Sequence, residues 1–110
     1  MLYRITAGIE RDKDGALIDP QHVAIVEHNA LLKLACTFGG ATVRRDRGSY
    51  FSEETRGIVV EETLTFEVLV AYADQQTETD ITAFATWLRD KLNQESVLVT
   101  EAAQTHGTLV

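Results

Sequence analysis

The stretch GGATVRRDRGSYFSEETRGIVVEETLTFEVLVAYA, residues 39–73, decides the fold. Gly39-Gly40 stops a preceding helix, because glycine enters the left-handed region that ends helices without steric cost. Residues 41–51 and 58–73 then read as two long strands, with residues 52–57 turning between them. In the second strand Leu64, Phe66, Val68, Val70 and Tyr72 alternate with Thr63, Thr65, Glu67, Leu69 and Ala71, the period of a sheet with one buried face. A bulge is expected at Gly48, just after the cluster Arg44-Arg45-Asp46-Arg47. A lone hairpin is marginal in water, so the flanking chain must cover its apolar face.

Helices on both sides supply that cover. Asp19-Pro20 starts the first: aspartate caps free N–H groups, and proline at the first helical position has no N–H to lose. The helix spans residues 20–37, with Val23, Val26, Ala30 and Leu34 at core spacing and Ile25, Leu31, Leu32 and Ala35 widening the stripe. On the other side Thr77-Glu78-Thr79-Asp80 reads as a capping box, followed by Ile81, Phe84, Ala85, Leu88 and Leu92 on one face and Trp87 at its margin. At the N-terminus residues 2–10 alternate as a strand that buries Tyr3, Ile5, Ala7 and Ile9, with Gly8 marking a bulge or a close approach. Residues 96–100 form a short last strand, and residues 102–110 either add an edge strand or fray. The order strand, helix, strand, strand, helix, strand predicts one α+β domain over residues 1–110, a ferredoxin-like βαββαβ arrangement with two helices on one face of an antiparallel sheet.

Composition narrows the function classes. The 110 residues carry 17 acidic and 10 basic side chains, a net charge of −7, which argues against a nucleic-acid partner because phosphate binding needs a basic face. Arg44, Arg45 and Arg47 are interrupted by Asp46 and followed by Glu53 and Glu54, the pattern of a solvated strand end. Cys36 is the only cysteine, which leaves no intramolecular disulfide, and it reads as a small buried hydrophobe. Glu10-x-Asp12-x-Asp14-Gly15 has the opening spacing of a calcium loop, but its twelfth position is Gln21, and an ordinary Asp-x-Gly turn fits better. His22 and His28 are six apart and point to different sides of their helix, so no metal or cofactor is expected. With no leader pattern and no long apolar run, the chain reads as soluble and cytoplasmic, with no membrane partner.

Phe38-Gly39-Gly40-Ala41-Thr42-Val43, then Gly48-Ser49-Tyr50, Gly57-Ile58-Val59-Val60-Glu61-Glu62 and Asn93-Gln94-Glu95-Ser96-Val97-Leu98 together resemble a family of small bacterial and phage proteins of unknown function. That family shows a Gly-Leu-Thr helix exit, a Gly-x-Trp strand, a Gly-x-x-x-x-Glu hairpin return and a closing Gln-Glu-Ser-Val. Here Ala41 stands for the leucine and Tyr50 for the tryptophan. The resemblance covers roughly residues 2–100 and implies the fold rather than a chemistry.

With helices on one side, the other face of the hairpin is the surface left to function. The expected binding residues there are Arg44, Tyr50, Glu62 and Leu69, with Glu62 and Arg44 as cross-strand partners on a wet face. The leading reading is a binding module, a homodimer or higher homo-oligomer, that uses this face for self-association and for a protein or small-molecule partner. No catalytic set is assigned. A small dimeric enzyme with a cleft between sheet and helices is the first alternative, with Tyr50, Glu62, Arg44 and His28 as its candidates, since a carboxylate or imidazole moves protons and a guanidinium holds anions. The second alternative is a phage-type antagonist of a host protein, drawn from small size, acidic charge and the resemblance to phage proteins.

Overall fold

The computed structural model of the chain describes residues 1–102, with Tyr50 given by its backbone alone. Its elements run β1 (Leu2–Gly8), α1 (Pro20–Phe38), β2 (Thr42–Ser52), β3 (Gly57–Leu69), α2 (Gln75–Lys91) and β4 (Leu98–Ala102). Among the described residues the strands form one four-stranded sheet, ordered β2-β3-β1-β4 with every neighbouring pair antiparallel. This is the ferredoxin-like α+β fold. The expected tail strand at residues 108–110 lies outside the described residues.

Side-chain alternation places the core. Tyr3, Ile5, Ala7 and Ile9 at the β1 end, and Leu64, Phe66 and Val68 of β3, face Val23, Val26, Ala30 and Leu34 of α1 and Ile81, Phe84 and Leu88 of α2. Phe66 meets Phe84 edge to face, ring centroids 5.6 Å apart, the geometry the aromatic quadrupole favours. Asp19 accepts from the Gln21 N–H at 2.9 Å to open α1. Gly39 closes it at φ 87°, its N–H donating to the Ala35 carbonyl.

Several expectations are corrected. β3 ends at Leu69 rather than residue 73, so the alternation stops there: Val70 is only partly buried and Tyr72 is 90% exposed. The register passes through Gly48↔Glu61 without a break, so there is no bulge. α2 begins at Gln75, because Asp74, not Thr77, is the cap: Asp74 accepts from the Thr77 N–H at 2.9 Å while Thr77 Oγ1 answers the Asp74 N–H. Cys36 is exposed, since it falls on the α1 flank away from Ala30 and Leu34. Ile25 and Leu32, expected to widen the buried stripe, are also largely exposed.

One consequence of the register is that β2 and β3 outrun the sheet. β1 pairs with β3 only as far as Gly8↔Thr63, so the pairs from Gly48↔Glu61 to Ser52↔Gly57 stand as a two-stranded arm.

Candidate functional site

The sheet face away from the helices is built by alternation. Crossing it in register, one row holds Thr42, Glu67, Arg4 and Thr100, the next Arg44, Thr65, Thr6 and Leu98, and the next Asp46, Thr63 and Gly8. Arg44 Nε donates to Asp46 Oδ2 at 2.7 Å, and both Arg44 and Arg4 bind Glu67. These bonds, that to Asp46 first, raise the Arg44 pKa above its already high value. Thr6 and Thr65 share a hydroxyl bond of 3.0 Å. The middle of the face is thus a polar lattice whose charges are mutually satisfied.

Beyond it lies a charge that is not. Glu61, at the root of the arm, reaches diagonally over β1: a β-carbon added at Gly8 would overlap Glu61 Oε1 and come 3.2 Å from its Cδ. Gly8 is therefore the close approach expected from sequence, made by a side chain rather than a backbone. The same hypothetical β-carbon would stand 3.7 Å from Gln94 Nε2, which donates to the carbonyls of Gly8 at 2.9 Å and Arg11 at 2.8 Å. Among the described residues, no cation pairs with Glu61 and no donor bonds it.

The support for Gln94 comes from the loop after β1. Asp12 accepts from the N–H groups of Asp14 and Ala16, and Asn93 Nδ2 donates to Asp12 Oδ2 at 3.1 Å and Asp14 Oδ2 at 3.2 Å. The Asn93 bond is the main cause of an Asp12 pKa below the usual carboxylate range. Asn93 sits at φ 50°, a left-handed residue that asparagine tolerates, and this turns the chain so that Gln94 points back at β1. The carboxylates that have calcium-loop spacing in sequence thus hold the end of α2.

The four residues expected at the site divide. Arg44 and Leu69 share the open face, Leu69 opposite Leu2 in a concavity of about 610 Å³ that also includes Glu67 and the Gly39-Gly40 exit of α1. Tyr50 falls opposite Val59 in the arm register. Glu62 is on the other side: it shares parity with Leu64 and Phe66, and its carboxylate lies 3.7 Å from Arg47. The expected Glu62–Arg44 pair does not form, because Arg44 stands opposite Thr65. His28 is exposed on α1. The carboxylate on the open face at this point is Glu61, which shares period two with Thr63, Thr65 and Glu67.

Tyr3 is a second polar feature, on the helix side. It is 1% exposed, and its hydroxyl donates to Glu78 Oε1 at 2.8 Å. Burial, then the Glu78 bond, pushes its pKa up to about 12. Among the described residues no helix is long and apolar enough to cross a membrane, and no group of His, Cys, Asp and Glu has the makings of a metal site.

No protein-family model matches the chain, and no curated protein does. Among solved structures, the chain is similar to a phage SAM lyase in complex with S-methyl-5′-thioadenosine, at 20% identity and TM-score 0.60, covering 89% of this chain and 76% of that one. It is similar to a phage SAM lyase in the apo state at 20% identity and TM-score 0.62, covering 89% and 75%. At this identity the likeness establishes the ferredoxin-like fold.

Proposed function

We propose that this chain binds a sulfur-containing adenosine, of the S-methyl-5′-thioadenosine and S-adenosylmethionine (SAM) class, on its open sheet face beside Gly8. The observation that carries the reading is the Glu61 carboxylate, laid against the backbone at Gly8 with no cationic partner among the described residues. A sulfonium is a cation without hydrogen-bond donors on its sulfur, so it is recognised by charge, and an unpaired carboxylate in a partly buried position supplies that charge. The likeness to a lyase holding S-methyl-5′-thioadenosine supports the ligand class. Gln94, whose amide nitrogen is spent on two carbonyls, keeps its oxygen as an acceptor for the ligand's amino or hydroxyl groups.

Self-association belongs to the same reading. Leu69 and Leu98, both more than half exposed, flank the polar lattice, and a second open face laid over them would cover it. Isothermal calorimetry of the full chain with SAM and with S-methyl-5′-thioadenosine tests the reading. SAM binding that is lost in Glu61→Gln supports it, with S-methyl-5′-thioadenosine as the neutral thioether that lacks the sulfonium charge, and absence of heat with both ligands overturns it. Chromatography of the SAM incubation separates a binding module from an enzyme: accumulation of S-methyl-5′-thioadenosine in wild type but not in Glu61→Gln selects the enzyme.

A further inference from the structure

The arm formed by β2 and β3 has an apolar side that its own helices do not reach. Its five register pairs beyond the sheet extend about 17 Å at ~3.4 Å per residue. On the helix side this ribbon carries Phe51, Ile58 and Val60, exposed by 61%, 69% and 55%. A two-stranded ribbon is marginal alone in water, so an arm of this length with one apolar face calls for a cover.

The order of side chains along that face says what kind. The tip holds Glu53, Glu54 and Arg56, all exposed; the middle holds Phe51, Ile58 and Val60; the root holds Arg47 opposite Glu62, with Arg45 behind it. The Arg47 side chain is 75% exposed and 3.7 Å from Glu62, while Arg45 lies 3.5 Å from Glu27. Glu53 on the β2 side and Arg56 on the β3 side of the tip complement Arg47 on the β2 side and Glu62 on the β3 side of the root when one copy is turned end to end. We propose that the helix-side face of the arm is an interface with a second copy of this chain, two arms packing antiparallel about a two-fold axis.

With the axis between the Phe51↔Ile58 and Ser49↔Val60 pairs, Phe51 and Ile58 of each arm rest on Val60 of the other, and Glu53 at the tip reaches Arg47 of the other. A stable interface buries on the order of 800 Å² per partner. The arm's narrow ribbon falls short of that by itself, and the concavity at its root, about 380 Å³ and lined by Ile9, Leu17, Ile18 and Val23 with Glu10 and Glu62, extends the surface in the direction the partner's tip travels. Leu17, 72% exposed on that wall, becomes part of the contact. The interface lies on the face opposite the candidate ligand site, so calorimetry with the nucleoside and sedimentation of the protein read the two independently.

Sedimentation velocity on the full chain at micromolar concentration tests the arm. Wild type is expected as an even-numbered assembly, and Phe51→Ser/Ile58→Ser, with unchanged circular dichroism, at half its mass. Glu53→Lys/Glu54→Lys and Arg47→Glu alter only exposed side chains, so they keep the test open if the apolar variant fails to fold. Each alone is expected to weaken association by roughly tenfold or more. An equimolar mixture of the two restores it, because each altered group then meets its complement. A wild-type monomer or odd-numbered assembly, an unchanged mass in folded Phe51→Ser/Ile58→Ser, or a mixture no stronger than its components would each overturn the proposal.

Discussion

The Glu61 carboxylate occupies the space that a β-carbon on residue 8 would need, so Gly8 and Glu61 specify each other across the β1–β3 boundary. The backbone at Gly8 is not at positive φ, and its glycine is explained by this contact instead of by a turn. Because the atom displaced is the end of a flexible side chain, the pair governs where a charge is held more than whether the sheet forms.

Gly8→Ala separates those roles. Alanine loses less backbone entropy on folding than glycine, which offsets the cost of moving Glu61. Thermal denaturation is expected to show a stability within about 1 kcal/mol of wild type, while calorimetry with SAM shows binding abolished. A Gly8→Ala protein that binds normally would remove Glu61's position from the site.

Asn93→Ala removes two charge-assisted bonds and leaves alanine at φ 50°. Urea unfolding should show a loss of about 2 kcal/mol. Asn93→Gly, which accepts the backbone angle and loses only the bonds, should lose less. If the two variants lose the same amount, the left-handed backbone contributes nothing.

Acid stability follows from two depressed carboxyls, Asp12 held down chiefly by Asn93 and Asp74 chiefly by the Thr77 N–H. A folded pKa below the unfolded one stabilises above the unfolded value, 3.8 here, and that stability drains away as pH falls through the folded value. Asp12→Asn and Asp74→Asn should therefore each be less stable than wild type at pH 7 and converge with it well below pH 3.8. At the other end, Tyr3 is raised from 10.0 to about 12, so its contribution is complete below 10.0 and lost as pH rises through about 12. Tyr3→Phe should flatten that alkaline loss in a pH series of melting temperatures.

Leu69→Asp combined with Leu98→Asp tests the open face as a contact. Both positions are exposed in the monomer, so the melting temperature should hold while sedimentation shows a smaller assembly. An unchanged mass would confine self-association to the arm.

The core was legible because alternation is a local property. Tyr3, Ile5 and Ala7 on β1 and Leu64, Phe66 and Val68 on β3 are buried as their period requires. Element ends were less legible. The apolar run through Tyr72 carries no mark of where pairing ceases, and the tertiary pairing with the start of β1, whose last bonds join Val70 and Met1, sets the end of β3. At the start of α2, Asp74 and Thr77 both have capping chemistry, and the choice between them fell to the path of the chain leaving β3.

By itself the sequence determined the number, order and type of the described elements and the two-faced pattern of each strand, because hydrophobic periodicity and capping act over a few residues. Only the tertiary structure decided which charges meet. Register sets Arg44 opposite Thr65 and Arg47 opposite Glu62. It also brings Glu61, Gly8 and Gln94 to one corner from three distant parts of the chain. Register is fixed by burying one whole face at once, a sum over all the strands that no short stretch contains.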